Sequence, residues 1–244
     1  MADTIRIAMW SGPRNLSTAM MRSFGARGDT AVIDEPFYAH YLAKTGFDHP
    51  MREEILQSQP QDWQVVAGEL AHGLVSQPIQ YQKHMAQHML DDMSTAWMRG
   101  VKNVFLIREP ERVVASFSDK RGLPDRWELG FDRQLSLFEE MASRSGDAPL
   151  VIDSADIRED PHMTLRALCE ALEIPFSDKM LRWKEGPMPE DGIWGKVWYG
   201  SVNASTGFAG AEGPLPELSG ELAKLAEALR PAYETLAAHK LKAA

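Results

Sequence analysis

The sequence contains a single cysteine among its 244 residues, Cys169. One cysteine cannot form an internal disulfide, so the fold must depend on its apolar core and its hydrogen bonds. Cys169 lies in the stretch LRALCEAL, in which Leu165, Leu168 and Leu172 recur at helical spacing. Because no histidine adjoins it in the sequence, we interpret Cys169 as a buried core residue and not as a catalytic thiol.

The chain also has too little positive charge for a general nucleic-acid or membrane-surface binder. Lys and Arg number 26 against 35 Asp and Glu, which gives a formal net charge of −9, whereas polyanionic surfaces select basic proteins. No apolar run approaches the roughly 18 residues of a membrane span, and residues 1–12 lack the pattern of a signal peptide. We therefore expect a cytoplasmic protein that binds neither nucleic acid nor membranes, in which any anion site is local.

Short apolar runs alternate along the chain with longer stretches of helical periodicity. We predict strands at 5–9, 31–33, 79–82, 104–107 and 150–152. We predict helices at 16–27, 63–75, 85–98, 111–119, 131–143 and 163–172. The alternation predicts a three-layer α/β fold, with a doubly wound parallel sheet of about five strands and helices on both faces. We expect residues 1–244 to form one domain that binds its ligand at the carboxyl edge of the sheet.

The last third of the chain has a different composition. Residues 184–214 are rich in glycine and proline and show no sustained periodicity. Their aromatic side chains are Trp194, Trp198, Tyr199 and Phe208. Because long irregular segments are usually functional and disordered ones are poor in aromatics, we predict a covering loop over the ligand. Residues 215–242 carry leucines as one helical stripe, which predicts a helical segment interrupted near Pro231.

The segment SGPRNLST, residues 11–18, stands between the first predicted strand and the first predicted helix. The first turn of a helix has unpaired N–H groups at the positive end of its dipole and therefore binds anions. Gly12 permits a tight turn, and Arg14 can bind two oxygens as a fork. The further candidate contacts of this cradle are Asn15, Leu16, Ser17 and Thr18. The alternative is an ordinary strand-to-helix turn with Asn15 as the N-cap.

This loop lacks the glycine and lysine that precede the final hydroxyl residue of a Walker A motif. A magnesium-dependent nucleotide triphosphatase is therefore disfavoured. Asp34 and Asp153 each follow a predicted strand and are the candidate metal ligands of such an enzyme. Aspartate at a strand end is more often the cap of the next turn, so we expect no metal.

A second stretch, NVFLIREPERVVASF, places a basic residue at another strand end. Arg108 follows the predicted strand 104–107, and Ser116 lies about two helical turns further along. Both side chains can therefore face the crevice at the carboxyl edge of the sheet. The alternative is that Arg108 only pairs with Glu109 or Glu111, as exposed ion pairs commonly do.

Together the two stretches resemble the sulfotransferase family, which transfers a sulfuryl group from 3′-phosphoadenosine 5′-phosphosulfate (PAPS) and leaves 3′-phosphoadenosine 5′-phosphate (PAP). SGPRNLSTAMMRSF is similar to the family's strand–loop–helix for the 5′-phosphosulfate, with Arg14 where a lysine is usual. IREPERVVASF is similar to its 3′-phosphate element, which implies that Arg108 and Ser116 hold that phosphate. The resemblance implies a P-loop-type fold. The sequence is also similar to the sulfotransferase-like N-terminal part of plant proteins named branched-chain aminotransferase-like, although it has no pyridoxal-phosphate motif.

The resemblance also implies a base that takes the proton of the acceptor, and two residues are candidates. Glu35 follows the second predicted strand, where some bacterial and carbohydrate-modifying sulfotransferases have a glutamate base. His84 follows the third strand beside Lys83, which the resemblance places near the sulfuryl group; in cytosolic members the lysine and histidine are not adjacent. We favour Glu35, because apolar neighbours can raise its pKa. His40 and His88 are interpreted as surface or packing residues.

The resulting hypothesis is a PAPS-dependent sulfotransferase that modifies a hydroxyl or amine group of a small molecule. Two alternatives remain: a magnesium-dependent P-loop kinase on the same scaffold, and a nucleotide-binding protein without catalytic activity. The sequence does not identify the acceptor, and it is compatible with a homodimer.

Overall fold

The computed structural model of the protein describes residues 4–242. Its strands are β1 (Ile5–Ser11), β2 (Thr30–Asp34), β3 (Ile79–Met85), β4 (Lys102–Ile107) and β5 (Leu150–Asp153). Its α-helices are α1 (Ser17–Gly25), α2 (Tyr38–Thr45), α3 (Arg52–Ser58), α4 (Trp63–His72), α5 (Pro110–Arg121), α6 (Phe131–Ser145), α7 (Ser154–Glu159), α8 (Pro161–Ala171), α9 (Gly195–Trp198), α10 (Gly200–Asn203) and α11 (Gly220–Ala237). Short 3₁₀ helices cover Ala86–His88, Ala96–Gly100, Arg126–Leu129 and Asp178–Leu181.

The five strands form one sheet in the order β2-β3-β1-β4-β5, and every neighbouring pair is parallel. Successive residues of β1 point to opposite faces, as the pleat requires. Ile7 and Met9 belong to one apolar core, which is covered by helices that include α1, α2 and α8. Ala8 and Trp10 belong to a second core under α4 and α6. This arrangement confirms the predicted three-layer α/β fold, with all strand C-termini at one edge.

The five predicted strands are confirmed, and each extends one to three residues beyond its predicted range. The helix predicted at 85–98 is wrong. β3 continues to Met85, and only short 3₁₀ turns follow it. Met85, Met89 and Met93 recur every four residues, which imitates a helical stripe, but Met85 is buried at the end of β3 and the other two are buried in the turns after it. The spacing of the methionines therefore indicated correctly that they are buried, but it predicted the wrong backbone conformation.

The interruption predicted near Pro231 is also wrong, because α11 runs through this proline. Pro231 lies on the solvent-exposed side of the helix, where water can bind the carbonyl group that lacks its usual donor. The neighbouring Leu229, Ala232 and Leu236 are buried and hold the helix against the rest of the protein. Packing of this face therefore offsets the cost of the proline.

Cys169 is fully buried on α8, in agreement with its interpretation as a core residue. Burial raises the pKa of its thiol to about 11, which keeps the sulfur protonated and poorly nucleophilic. Among residues 4–242, no helix is long and apolar enough to cross a membrane.

Candidate active site

A cavity of about 440 Å³ opens at the carboxyl edge of the sheet, above β1, β3 and β4. The candidate residues from the sequence that line it are Arg14, Asn15, Leu16, Ser17, Thr18, Glu35, Lys83, Arg108 and Ser116. Nine of the eleven candidate residues thus line one cavity. Gly12 and His84 are the candidates that do not line it.

The loop between β1 and α1 has an unusual backbone. Arg14 and Leu16 both adopt left-handed conformations, with φ angles of 59° and 62°. Such positions are uncommon for residues other than glycine and concentrate at functional sites. Alternating conformations of this kind also turn successive N–H groups toward one side, which favours anion binding.

Gly12 is required for a reason other than the predicted tight turn. Its φ is not in the left-handed region; a Cβ at this position would instead overlap the carbonyl oxygen of Leu129. The adjacent Gly130 lies over the Cα of Gly12. The glycine therefore lets the loop pass directly beneath the segment that precedes α6.

Helix α1 begins without a side-chain cap. Its N-cap residue is Leu16, so Asn15 is not the N-cap that the alternative interpretation required. The Asn15 side chain instead donates from Nδ2 to the carbonyl oxygen of Leu106 on β4, at 2.8 Å. The first-turn N–H groups of Ser17 and Thr18 therefore have no capping side chain, and both residues line the cavity. An anion is their natural partner.

Arg14, Arg108 and Ser116 meet at this end of the cavity. Arg14 donates from Nε to Oγ of Ser116 at 2.9 Å, and Arg108 donates to the carbonyl oxygen of Arg14 at 2.6 Å. The two stretches recognised in the sequence are thus in direct contact. Burial and the nearby charge of Arg108 lower the pKa of Arg14 from its usual range. Two cations held this closely favour an anionic ligand between them.

Lys83 lies at the centre of a buried network of ionised groups on the other side of the cavity. Its Nζ donates to Asp34 Oδ1 at 3.0 Å, to Glu35 Oε1 and to the Tyr199 hydroxyl at 2.8 Å. Burial opposes the charge on Lys83, but Asp34 and Glu35 outweigh it and raise its pKa above the ordinary value. Burial also raises the pKa of Glu35, against the attraction of Lys83. Two carboxylates share one ammonium, so the second carboxylate is poorly neutralised.

His84 projects away from this network. Neighbouring residues of a strand point to opposite faces, so Lys83 and His84 cannot both face the cavity. The His84 ring stacks on Trp10 with a centroid distance of 4.2 Å, inside the second core. Burial lowers its pKa to about 3, which keeps it neutral. His84 therefore occupies the position of a packing residue. It does not face the cavity as a base would, in contrast to the prediction from the sequence.

Another histidine, His88, does line the cavity. Its ring lies between those of Tyr38 and Tyr41, with both centroids at 4.6 Å, and its Nδ1 is 4.0 Å from Glu35 Oε2. Burial lowers its pKa well below the ordinary value. His88 was predicted to be a surface or packing residue, so its place on the cavity wall is a finding of the structure.

The segment predicted as a covering loop does contact the site. Tyr199 of this segment donates its hydroxyl to Asp34 at 2.7 Å, and the Gly192 N–H donates to the same carboxylate at 2.9 Å. Arg22 of α1 pairs with Asp191 and donates to Asn203 at 2.9 Å. The segment is thus fixed to β2 and α1 by buried polar bonds, and its short helices α9 and α10 bring Trp198 and Ser201 to the cavity wall.

The two candidate metal ligands have other partners. Asp153 caps α7 by accepting from the Ala155 N–H at 2.9 Å, as expected for aspartate at a strand end. Asp34 binds Lys83 and the covering segment. Within residues 4–242, no cluster of three or more His, Cys, Asp or Glu side chains is arranged to hold a metal ion.

A family model described as "Sulfotransferase domain" matches residues 5–240. The chain belongs to this family. Two sulfotransferases of known structure share its fold. The crystal structure of a sulfotransferase from Alicyclobacillus acidocaldarius has a TM-score of 0.54 at 13% identity, covering 97% of this chain and 96% of that one. The sulfotransferase domain from the curacin biosynthetic pathway has a TM-score of 0.51 at 14% identity, covering 94% and 99%. At these identities the likeness is one of fold.

Closer in sequence are two plant proteins. "Branched-chain-amino-acid aminotransferase-like protein 1" of Arabidopsis thaliana is 42% identical over 209 residues, which are 86% of this chain and 37% of the relative. "Branched-chain-amino-acid aminotransferase-like protein 2" of the same plant is 38% identical over 203 residues, 83% of this chain and 36% of the relative. The chain spans little more than a third of the length of these relatives. Both resemblances predicted from the sequence are confirmed.

Proposed function

We propose that this protein is a sulfotransferase that uses PAPS as its donor and modifies a hydroxyl or amine group of a small molecule. The observation that carries the proposal is the contact between two anion-binding elements at one cavity, through Arg14, Arg108 and Ser116. Family membership supports sulfotransferase-type chemistry. The geometry supports a nucleotide that carries phosphate at two positions.

The site residues fit such a nucleotide. The uncapped start of α1 with Arg14 suits the 5′-phosphosulfate, and Arg108 with Ser116 suits the 3′-phosphate. A buried donor also lacks a partner there: Nε of Arg108 has no hydrogen-bond partner in the described part of the chain. Because buried polar groups are normally paired, this donor supports an anionic ligand.

When bound, PAPS supplies the sulfuryl group, whose bond to the 5′-phosphate breaks as a bond to the acceptor oxygen or nitrogen forms. Arg14 and the N–H groups of Ser17 and Thr18 stabilise the negative charge that develops on the phosphate side. We assign Lys83 to the oxygens of the sulfuryl group. The covering segment, through Trp198 and Phe208 on the cavity wall, excludes water from the reacting atoms.

Glu35 is the base in this proposal. It lines the cavity, and burial raises its pKa toward the range in which a carboxylate accepts a proton effectively. Its backbone is strained, with φ at 40°, which is typical of functional positions. His88 is the alternative base, because its Nδ1 lies 4.0 Å from Glu35 Oε2 on the same cavity wall. The proton of the acceptor passes to one of these two side chains.

Calorimetry with PAP, ATP, and ATP plus magnesium tests the nucleotide assignment. We expect PAP to bind without added metal and more tightly than 5′-AMP, which lacks the 3′-phosphate. Binding of ATP that requires magnesium, with no binding of PAP, would instead support a kinase. A screen of hydroxyl- and amine-bearing metabolites with labelled PAPS then tests transfer. Tight PAP binding without transfer to any acceptor would favour a nucleotide-binding protein without activity.

A further inference from the structure

The residue that carries the proposed 3′-phosphate contact is already paired with a carboxylate of the chain itself. Arg108, which lines the cavity, donates from Nη2 to Oε1 of Glu212 at the end of the covering segment. The same oxygen accepts from Arg158 Nη1 at 2.7 Å. The other carboxylate oxygen lies 3.6 Å from Nε of Arg112. Three guanidinium groups, from the residue after β4, from α5 and from α7, therefore surround one glutamate.

The charges of this cluster do not balance. Glu109 accepts from Arg112 Nε at 2.6 Å and neutralises that arginine, but Glu212 alone faces both Arg108 and Arg158. One positive charge is left over with Glu212 in place, and two are left when it departs. A phosphate monoester carries about −1.5 to −2 near neutral pH, which matches the cluster without the glutamate.

Glu212 also leaves some hydrogen-bonding groups of this cluster without a partner. Its Oε2 and the Nε of Arg108 are both buried, and neither has a hydrogen-bond partner within residues 4–242. A carboxylate has two acceptor oxygens for the three arginines, whereas a terminal phosphate group has three acceptor oxygens. A buried acceptor without a donor costs free energy. The site therefore suits a phosphate better than the side chain that occupies it.

The segment around Glu212 is held mainly by these same arginines. Arg158 donates from Nε to the carbonyl oxygen of Gly210 at 2.9 Å, and Arg112 donates to that of Gly213 at 2.6 Å. Residues 210–213 lie outside every helix and strand, and three of the four are exposed. Departure of Glu212 therefore breaks few other contacts.

We propose that Arg112 and Arg158 form, together with Arg108, the subsite for the 3′-phosphate, and that Glu212 occupies this subsite until the nucleotide binds. This inference rests on the proposed function, since it requires a nucleotide with a 3′-phosphate. Binding exchanges one anion for another: the carboxylate leaves Arg108 and Arg158, and the phosphate takes its place. The glutamate thus weakens binding of PAP while leaving nucleotides without the 3′-phosphate unaffected.

Dissociation constants of PAP and 5′-AMP for matched variants test the inference. We expect Glu212→Gln to bind PAP about tenfold more tightly than the wild type and 5′-AMP equally well, because only the phosphate competes with Glu212. Glu217→Gln is the control: it removes the same charge from an exposed residue five positions further along the chain and should change neither constant. Unchanged or weaker PAP binding by folded Glu212→Gln would overturn the proposal.

A second variant decides the matter if Glu212→Gln does not fold. Arg158→Gln should weaken PAP binding about fivefold or more and leave 5′-AMP unaffected, because one charged partner of the 3′-phosphate is lost. Arg166→Gln, on the exposed face of α8, is its control. Equal effects of Arg158→Gln on both nucleotides would overturn the assignment of Arg158. Absence of PAP binding to the wild type and to Glu212→Gln alike would overturn both this inference and the proposed function.

Discussion

Replacement of Lys83 by methionine should lower the free energy of unfolding strongly, because two buried carboxylates lose their shared cation. The side chains of Lys83 and Asp34 are each 1% exposed and that of Glu35 is 10% exposed. Asp34 keeps donors in Tyr199 and the Gly192 N–H. Among residues 4–242, Glu35 keeps a long contact of 3.4 Å to the Tyr199 hydroxyl and the His88 ring nitrogen at 4.0 Å. The loss of the ammonium group therefore leaves mainly Glu35 without a strong partner.

The magnitude follows from the cost of a buried charge without its partner, which is about 3–5 kcal/mol when one member of an ion pair is removed. We expect Lys83→Met to lose about this much free energy of unfolding near neutral pH. The methionine fills nearly the same volume, so a cavity contributes little. The double variant Lys83→Met, Glu35→Gln should recover at least about 1 kcal/mol, because it removes the unpaired charge as well as its partner.

The loss should also depend on pH, with a definite sign. A carboxylate whose pKa is raised in the folded state destabilises the protein only where the unfolded chain is ionised, above its ordinary pKa of about 4.3. In Lys83→Met the pKa of Glu35 rises further, so the difference from the wild type should be smallest near about pH 5 and largest near about pH 8. The raised pKa of Lys83 contributes stability that is constant below the ordinary pKa of lysine and is lost only as the pH rises above it, so it adds no pH dependence within this window.

Urea unfolding followed by tryptophan fluorescence at several pH values measures both effects. Lys102→Met is the control, because Lys102 pairs with Glu173 at the surface and the loss of that pair should have little effect. A loss from Lys83→Met below about 1 kcal/mol near pH 8, or one that does not vary with pH, would refute the account of the network.

Three further predictions concern the proposed reaction. Arg108→Ala should weaken binding of PAP by about 10- to 100-fold and that of 5′-AMP much less, as measured by calorimetry, and equal losses would contradict its assignment to the 3′-phosphate. Glu35→Gln should keep PAP affinity but lower turnover with an identified acceptor by about 10²- to 10⁴-fold, whereas His88→Asn should cost far less; the reverse order would make His88 the base. Limited proteolysis within residues 184–209, before the stretch that Glu212 holds, should slow when PAP is added, and unchanged cleavage at saturating PAP would show that this part of the segment does not close over the nucleotide.

Short-range patterns in the sequence predicted the strands of the sheet and the residues at its carboxyl edge. Alternating apolar runs predicted the sheet, and the parallel sheet predicted that the loop with Arg14 and the strand end with Arg108 would both lie at its carboxyl edge. The opposite orientation of Lys83 and His84 was within reach as well, because successive side chains of a strand alternate. It was missed because the predicted strand 79–82 ended too early, before His84.

Contacts between distant segments had no such signal. Glu212 lies 104 positions from Arg108, in a segment without periodicity, so nothing local indicates that the two are paired. Tyr199 is similar: its aromatic ring predicted an ordered covering loop, but not that its hydroxyl would bind Asp34. Such pairings depend on how the chain folds back over the sheet, which a single sequence does not encode in any short stretch.

An acidic chain and an anion site are compatible because electrostatic interactions in salt water are short-ranged. Charges separated by more than about 8 Å are largely screened at physiological ionic strength, so the net charge of −9 acts mainly on the approach of a ligand. Inside the cavity the nearest charges determine which ligands bind. Arg14, Arg108, Lys120 and Arg121 line it, and Lys83 is neutralised by its own carboxylates. The overall charge therefore opposes nonspecific binding of polyanions, while the local cations favour a small anion such as the proposed nucleotide.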